Sequence, residues 1–144
     1  SRTAAKVEKA VENLQAKGGT AMALIADVLN EDQLIDTRNK LLKEWGRIDI
    51  LVNAAGGNMK GATIMPDQNL FNLSMEDFTK VTDLNLKGTV LPTKVFAKVM
   101  ADQKKGCVVN ISSMAGRTFS VSSSIVAAKK DDQRGIVLFL IIKS

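Results

Sequence analysis

The stretch ILVNAAGGN, residues 50–58, runs three aliphatic side chains straight into an asparagine, two alanines and two glycines. The aliphatic part reads as a buried strand, but its ending has two readings. A strand must stop somewhere, and glycine stops it cheaply. Alternatively, something has to lie against the backbone at this point. The flanking segments say what kind of sheet is involved. Upstream, TAMALIAD, residues 20–27, is another short apolar run, ending in Asp27; downstream, GCVVNISS, residues 106–113, ends in Ser112 and Ser113.

Helical patterns fill the spaces between these runs. Val7, Ala10, Val11 and Leu14 fall at i, i+3, i+4 and i+7, and Gly18 and Gly19 stop that helix. Asn30, with Gln33 in the capping-box position, opens a second helix whose core face is Leu34, Leu41, Leu42 and Trp45 and which Gly46 ends. Ser74, with Asp77 three residues on, opens a long third helix. The pattern predicts helices near 3–17, 31–45 and 75–102, with strands near 20–26, 48–54 and 107–112. Strands alternating with helices imply parallel crossovers, hence an α/β fold with helices on both faces of a parallel sheet.

All three apolar runs finish at their carboxyl ends in polar or tiny residues: Asp27, Asn53 with Gly56, and Ser112 with Ser113. Ligands of open parallel sheets bind outside that edge, so three strands delivering polar groups there describe a site. The long helix adds a second signal. Phe78, Val81, Val95, Phe96 and Val99 mark its apolar stripe, and Asn85 and Gly88 fall on the same stripe. A buried carboxamide needs partners or costs about 1–3 kcal/mol. Two readings stay open: packing near a kink imposed by Pro92, or an amide held at a helix bend to grip a water or a backbone carbonyl.

Composition narrows the chemistry. The chain has 144 residues, 45% hydrophobic and 24% charged, the size and balance of one ordinary globular domain. Its net charge of +5 is spread thinly with few aromatics, which argues against nucleic acid and suits a phosphate-bearing small ligand. Histidine is absent, which removes His-based triads and nearly all zinc chemistry, and no metal site is expected. The single Cys107 fits a reducing, cytoplasmic setting. No signal peptide is expected, and the apolar run IVLFLII, 136–142, is far short of the ~20 residues that span a bilayer.

Asp27-Val28, Asn53-Ala54-Ala55-Gly56, Asn85-Leu86-Lys87-Gly88 and Asn110-Ile111-Ser112-Ser113, in that order and spacing, resemble the short-chain dehydrogenase/reductase family. The likeness covers roughly residues 1–117 of a single domain, 1–144, with 118–144 as a diverged tail. The loop 56–71 is further similar to sugar-acid reductases of the D-mannonate or fructuronate oxidoreductase type. The resemblance implies a Rossmann-like, doubly wound sheet and NAD(P)-dependent hydride transfer to or from a carbonyl or alcohol. It implies that Asp27 and Val28 meet the adenine and that Asn53 braces the central strands. Ala54, Ala55 and Gly56 would let the cofactor lie close to the backbone. Ser113 would bind the substrate oxygen, and Asn85 would hold a water in the proton relay. Arg2 would take the 2′-phosphate, which favours NADP, with NAD possible. Self-association through the long helix is also implied.

The sequence departs from that pattern. The glycine-rich phosphate loop is absent, and with it the strands on either side. The family's acid/base is a tyrosine four residues before a lysine, and this chain contains no tyrosine. Within SSSIVAAKKDD, 122–132, either Ile125 with Lys129 or Val126 with Lys130 takes the two places, and neither aliphatic can move a proton. The expectation is therefore an incomplete reductase that is inactive as given; the alternative is a non-catalytic nucleotide-binding or decayed protein. In the expected strand order, 3-2-1-4-5-6, the run at 20–27 is not a neighbour of the run at 48–54. It must leave a gap, pair otherwise or leave open edges.

Overall fold

A computed structural model of the chain describes residues 4–112. The element order is α1 (Ala4–Gln15), α2 (Glu31–Trp45), β1 (Ile50–Asn53), α3 (Met75–Thr82), a π-helical turn (Asp83–Lys87), α4 (Gly88–Asp102) and β2 (Cys107–Asn110). Short 3-10 turns at Lys60–Ala62 and Leu70–Asn72 punctuate the connection between β1 and α3. The two strands pair in parallel, with Ile50 opposite Cys107 and Asn53 opposite Asn110. The α/β expectation and the parallel pairing hold.

The core lies where α4 covers the sheet and α2 packs against α4. Leu34 and Leu41 from α2, Val95, Phe96 and Met100 from α4, Leu51 from β1 and Ile48 just before it form one buried cluster with Ala26. The helix termini follow the sequence. The side chain of Asn30 accepts from the backbone N–H of Gln33, and that of Ser74 accepts from Asp77. Gly46 takes a left-handed φ of 73° and returns its N–H to the Leu42 carbonyl. The predicted stripe of α1 is also seen, since Val7, Ala10, Val11 and Leu14 are half-buried while the remaining described residues of that helix are exposed.

One expectation is corrected, and the irregularity of the long helix is located. Residues 20–26 do not form a strand. Ala26 is buried and Leu24 packs on the core, so the segment is anchored, but no ladder partner lies beside it among the described residues. A strand is defined by its pairing, and the gap required by the expected strand order is what remains. The long helix, for its part, continues through Pro92, since α4 runs from Gly88 to Asp102. Pro92 is fully buried inside α4, and the irregularity is the π turn just before it. Proline offers no N–H to the carbonyl four residues back, Gly88, so the regular ladder is already interrupted where the π turn ends.

Candidate functional site

The opening stretch delivers the centre of the site. Asn53 closes β1 and is 5% exposed beneath α4, where its Nδ2 donates to Thr93 Oγ1 and to Asn110 Oδ1, both at 2.8 Å. Those bonds tie β1 to β2 and to α4 at the carboxyl edge, since Asn53 and Asn110 are opposite one another in the ladder. The backbone N–H of Ile111 donates to the Asn53 carbonyl at 2.9 Å and carries the pairing one residue further.

Beyond Asn53 the chain opens. Ala54 is exposed, and Ala55, Gly56 and Gly57 are half-buried. Asn85, in the middle of the π turn, grips this segment at both ends of one residue. The Gly57 N–H donates to Asn85 Oδ1 at 2.9 Å, and Asn85 Nδ2 donates to the Gly57 carbonyl at 3.1 Å. A π turn widens the helix by one residue and so changes the direction in which its side chains leave. Thr89 stabilises the geometry by donating its hydroxyl to the Asn85 carbonyl at 2.9 Å.

The two glycines therefore have an internal cause. A Cβ at Gly56 would stand 3.0 Å from Asn85 Oδ1, and one at Gly57 would stand 3.3 Å from Leu84 Cδ2. Neither glycine has a positive φ. Something does lie against the backbone: the carboxamide of Asn85 itself. Of the two readings left open for that residue, it grips a backbone carbonyl, and the matching N–H as well.

Gly88 brings the third segment in. A Cβ there would meet Val28 Cγ2 at 2.9 Å and Leu84 Cδ1 at 3.9 Å, so glycine lets the 27–28 segment close on the helix. Val28 is buried and Asp27 half-buried. Asp27 shapes its own turn: its Oδ1 accepts from the Leu29 N–H at 3.0 Å, and its carbonyl accepts from Asn30 at 3.0 Å. The Asp27 N–H donates to Gln33 Oε1 at 2.8 Å, so the glutamine of the predicted capping box braces Asp27 instead of reaching back to Asn30. Through Leu84 and Gly88, the segments carrying Asp27, Asn85 and Gly56 form one contiguous patch.

Of the sequence-predicted residues, Asp27, Val28, Asn53, Ala54, Ala55, Gly56 and Asn85 come together at or next to the carboxyl edge. Arg2, Ser113 and Lys129, with Ile125, Val126 and Lys130, lie outside the described residues. Sequence reasoning missed Thr93, Asn110 as a side-chain partner, and Gly57. A threonine at i+4 from Thr89 on a helix facing a strand end is a signal that could have been read. A dinucleotide would need accessible backbone bearing minimal side chains, together with a hydrogen-bond acceptor nearby. Residues 54–57 and the half-buried Asp27 fit such a group.

Comparison with known proteins identifies the family and the fold. The short chain dehydrogenase profile matches residues 1–136. The chain is 40% identical over 116 residues to a 3-oxoacyl-[acyl-carrier-protein] reductase of Synechocystis, covering 81% of this chain and 43% of that protein. A crystal structure from Haemophilus influenza, of a protein proposed to be a D-mannonate oxidoreductase and holding NAD, superposes with a TM-score of 0.73 at 30% identity, covering 86% of this chain and 47% of that one. ElxO with NADP bound superposes with a TM-score of 0.70 at 30% identity, over 85% of this chain and 47% of that one. The chain thus spans a little under half the length of these relatives, and its fold is the Rossmann-like α/β fold they share. It belongs to the short-chain dehydrogenase family.

Proposed function

We propose that the chain is the cofactor-facing part of a reductase that moves a hydride between a nicotinamide dinucleotide and the carbonyl or alcohol carbon of a small molecule, with a sugar acid as the substrate class. The observation that carries the reading is the patch at the carboxyl edge, where Asn85 holds residues 56–57 open beside Asp27 and Val28. Asp27 accepts from the exocyclic amine of the adenine, and Ala54, Ala55 and Gly56 leave room for the dinucleotide against the backbone. Asn85 keeps one amide hydrogen and one lone pair beyond its bonds to Gly57, enough to order a water. Ser113 bonds the substrate oxygen, and Lys129 the ribose. NADP is preferred over NAD because Arg2 suits a 2′-phosphate.

Reducing a carbonyl needs a proton as well as a hydride, and the chain has no tyrosine to supply it. These 144 residues therefore bind the dinucleotide without turning over. Support for a binding role without chemistry comes from the same missing phenol. The test has two arms on the purified chain. Equilibrium dialysis should show NADPH retained more tightly than NADH. NADPH oxidation over a panel of keto-sugar acids should stay at blank, and should remain there in Ile125→Tyr and Val126→Tyr. Absence of dinucleotide binding would overturn the cofactor reading. Turnover by the unmodified chain would mean that another group supplies the proton, and would overturn the binding-only role.

A further inference from the structure

A closed ring of hydrogen bonds joins the strand ladder to the clamp on Gly57. Asn53 Nδ2 uses both of its hydrogens, one on Asn110 Oδ1 and one on Thr93 Oγ1, each at 2.8 Å. Thr93 donates its own hydroxyl hydrogen to the Thr89 carbonyl at 2.8 Å. A hydroxyl has a single hydrogen, so the direction is fixed: Thr93 accepts from the strand and donates to the helix. Thr89 repeats the step, donating its hydroxyl to the Asn85 carbonyl at 2.9 Å. Asn85 closes the ring with its two bonds to Gly57, just beyond Asn53 in the chain.

Two features set this ring apart from ordinary hydroxyl bonding within a helix. The threonines follow the π turn directly, where Pro92 leaves the Gly88 carbonyl without its regular helical donor. A hydroxyl bonded to the carbonyl four residues back tends to bend a helix, so two in series bear on the direction in which the π turn presents Asn85. The spans also match. Two steps of four residues separate Asn85 from Thr93, roughly 12 Å of helical rise. The chain from Asn53 to Gly57 reaches about 13 Å when extended. Residues 54–56 are thus strung between two points of one helix.

We propose that Thr89 and Thr93 are positioning residues for the dinucleotide surface, carrying the register of the β1–β2 ladder to Asn85 and so fixing the shape of residues 54–57. Both act through Asn85 and touch no ligand themselves. The consequence for affinity rests on the dinucleotide reading, whereas the consequence for the shape of residues 54–57 does not.

Thr93→Val and Thr89→Val keep the side-chain volume and remove the hydroxyl. In the unliganded 144-residue chain, each should move the Gly57 amide proton upfield and speed its hydrogen exchange at least about threefold. The amide of Cys107, bonded to Asp49 at the far end of the ladder, should be unchanged. Thr93→Ser and Thr89→Ser keep the hydroxyl and should leave Gly57 as it is in the unmodified chain. Thr79→Val removes a bond of the same kind, to the Met75 carbonyl in α3, and should not move Gly57. In dialysis the NADPH dissociation constant should rise roughly three- to tenfold in the valine variants, the net worth of one hydrogen bond, and stay near the unmodified value in the serine variants. If Thr93→Val does not fold, Thr89→Val decides, because the Thr89 hydroxyl bonds only within the helical segment. A Gly57 amide unmoved by the valine variants would overturn the positioning role. So would an equal change at Cys107 or in Thr79→Val, or a loss that serine does not rescue. If the unmodified chain binds no NADPH, the dinucleotide reading fails, and the Gly57 amide alone decides the positioning role.

Discussion

The chain entering β1 and the chain leaving it are held by the same device, put to different uses. At the amino end, Gln103 from just beyond α4 grips Ile48, with its Nε2 donating to the Ile48 carbonyl at 2.7 Å and its Oε1 accepting from the Ile48 N–H at 3.1 Å. At the carboxyl end, Asn85 grips Gly57 in the same two-bond fashion. Both carboxamides belong to one long helical segment, about five turns apart. Ile48 is 0% exposed, and the neighbouring Asp49 is buried against Arg47, whose guanidinium the Asp49 carboxylate holds above its ordinary pKa by hydrogen bonding and then by charge. Gly57, by contrast, sits in a run of tiny side chains that remains half open. A backbone-gripping amide is therefore not itself the mark of a site. What distinguishes the carboxyl end is that the grip holds an accessible surface in shape instead of sealing a core.

That contrast sets the size of the expected effects. Gln103→Ala leaves the N–H and C=O of a fully buried residue without partners, so it should cost about 2–3 kcal/mol in urea unfolding. Asn85→Ala should cost less than about 1 kcal/mol, because water reaches the half-buried Gly57 and replaces the lost bonds. The same variant should weaken NADPH binding in dialysis. If the two substitutions cost equally, or if Asn85→Ala leaves NADPH binding unchanged, the distinction between the ends fails.

The smallest effect expected lies on the surface of α3, away from both ends. Lys80 holds the Glu76 carboxyl below its ordinary value of 4.5, first by hydrogen bonding and then by charge. A depressed carboxyl contributes stability above its unfolded pKa and loses it as pH falls through the folded one. Carboxyl-carbon NMR should show Glu76 titrating below 4.5, and Lys80→Met should return it to the ordinary value. Both groups are fully exposed, so neither clamp should respond, and unfolding midpoints near neutral pH should be unchanged.

The helices were legible because their signals are local. The spacing of Val7, Ala10, Val11 and Leu14 names the half-buried stripe of α1, and Asn30, Gly46 and Ser74 cap where their side chains or backbone freedom predict. Residues 20–26 were misread because their composition reports burial, whereas a strand also needs a neighbour, and that neighbour is a property of the whole sheet. At the site, the residue types that converge on the carboxyl edge could be named from strand ends. Gln103 could not be, since a glutamine closing a helix reads as solvated surface and its partner lies 55 residues away in sequence. The role of Gly56 and Gly57 was half legible. Their smallness signalled a close neighbour, but the neighbour that meets them is a side chain of the protein.

The central claim is that the open end of the strand, and not the sealed one, receives the dinucleotide. Amide chemical shifts of the labelled 144-residue chain, followed during NADPH titration, test it most directly. Saturable shifts should appear at Asp27, Val28, Ala54, Ala55, Gly56, Gly57 and Asn85, with none at Arg47, Ile48, Asp49, Gln103 or Lys104. Shifts concentrated at the amino end, or no saturable shift at the carboxyl edge, would contradict the account.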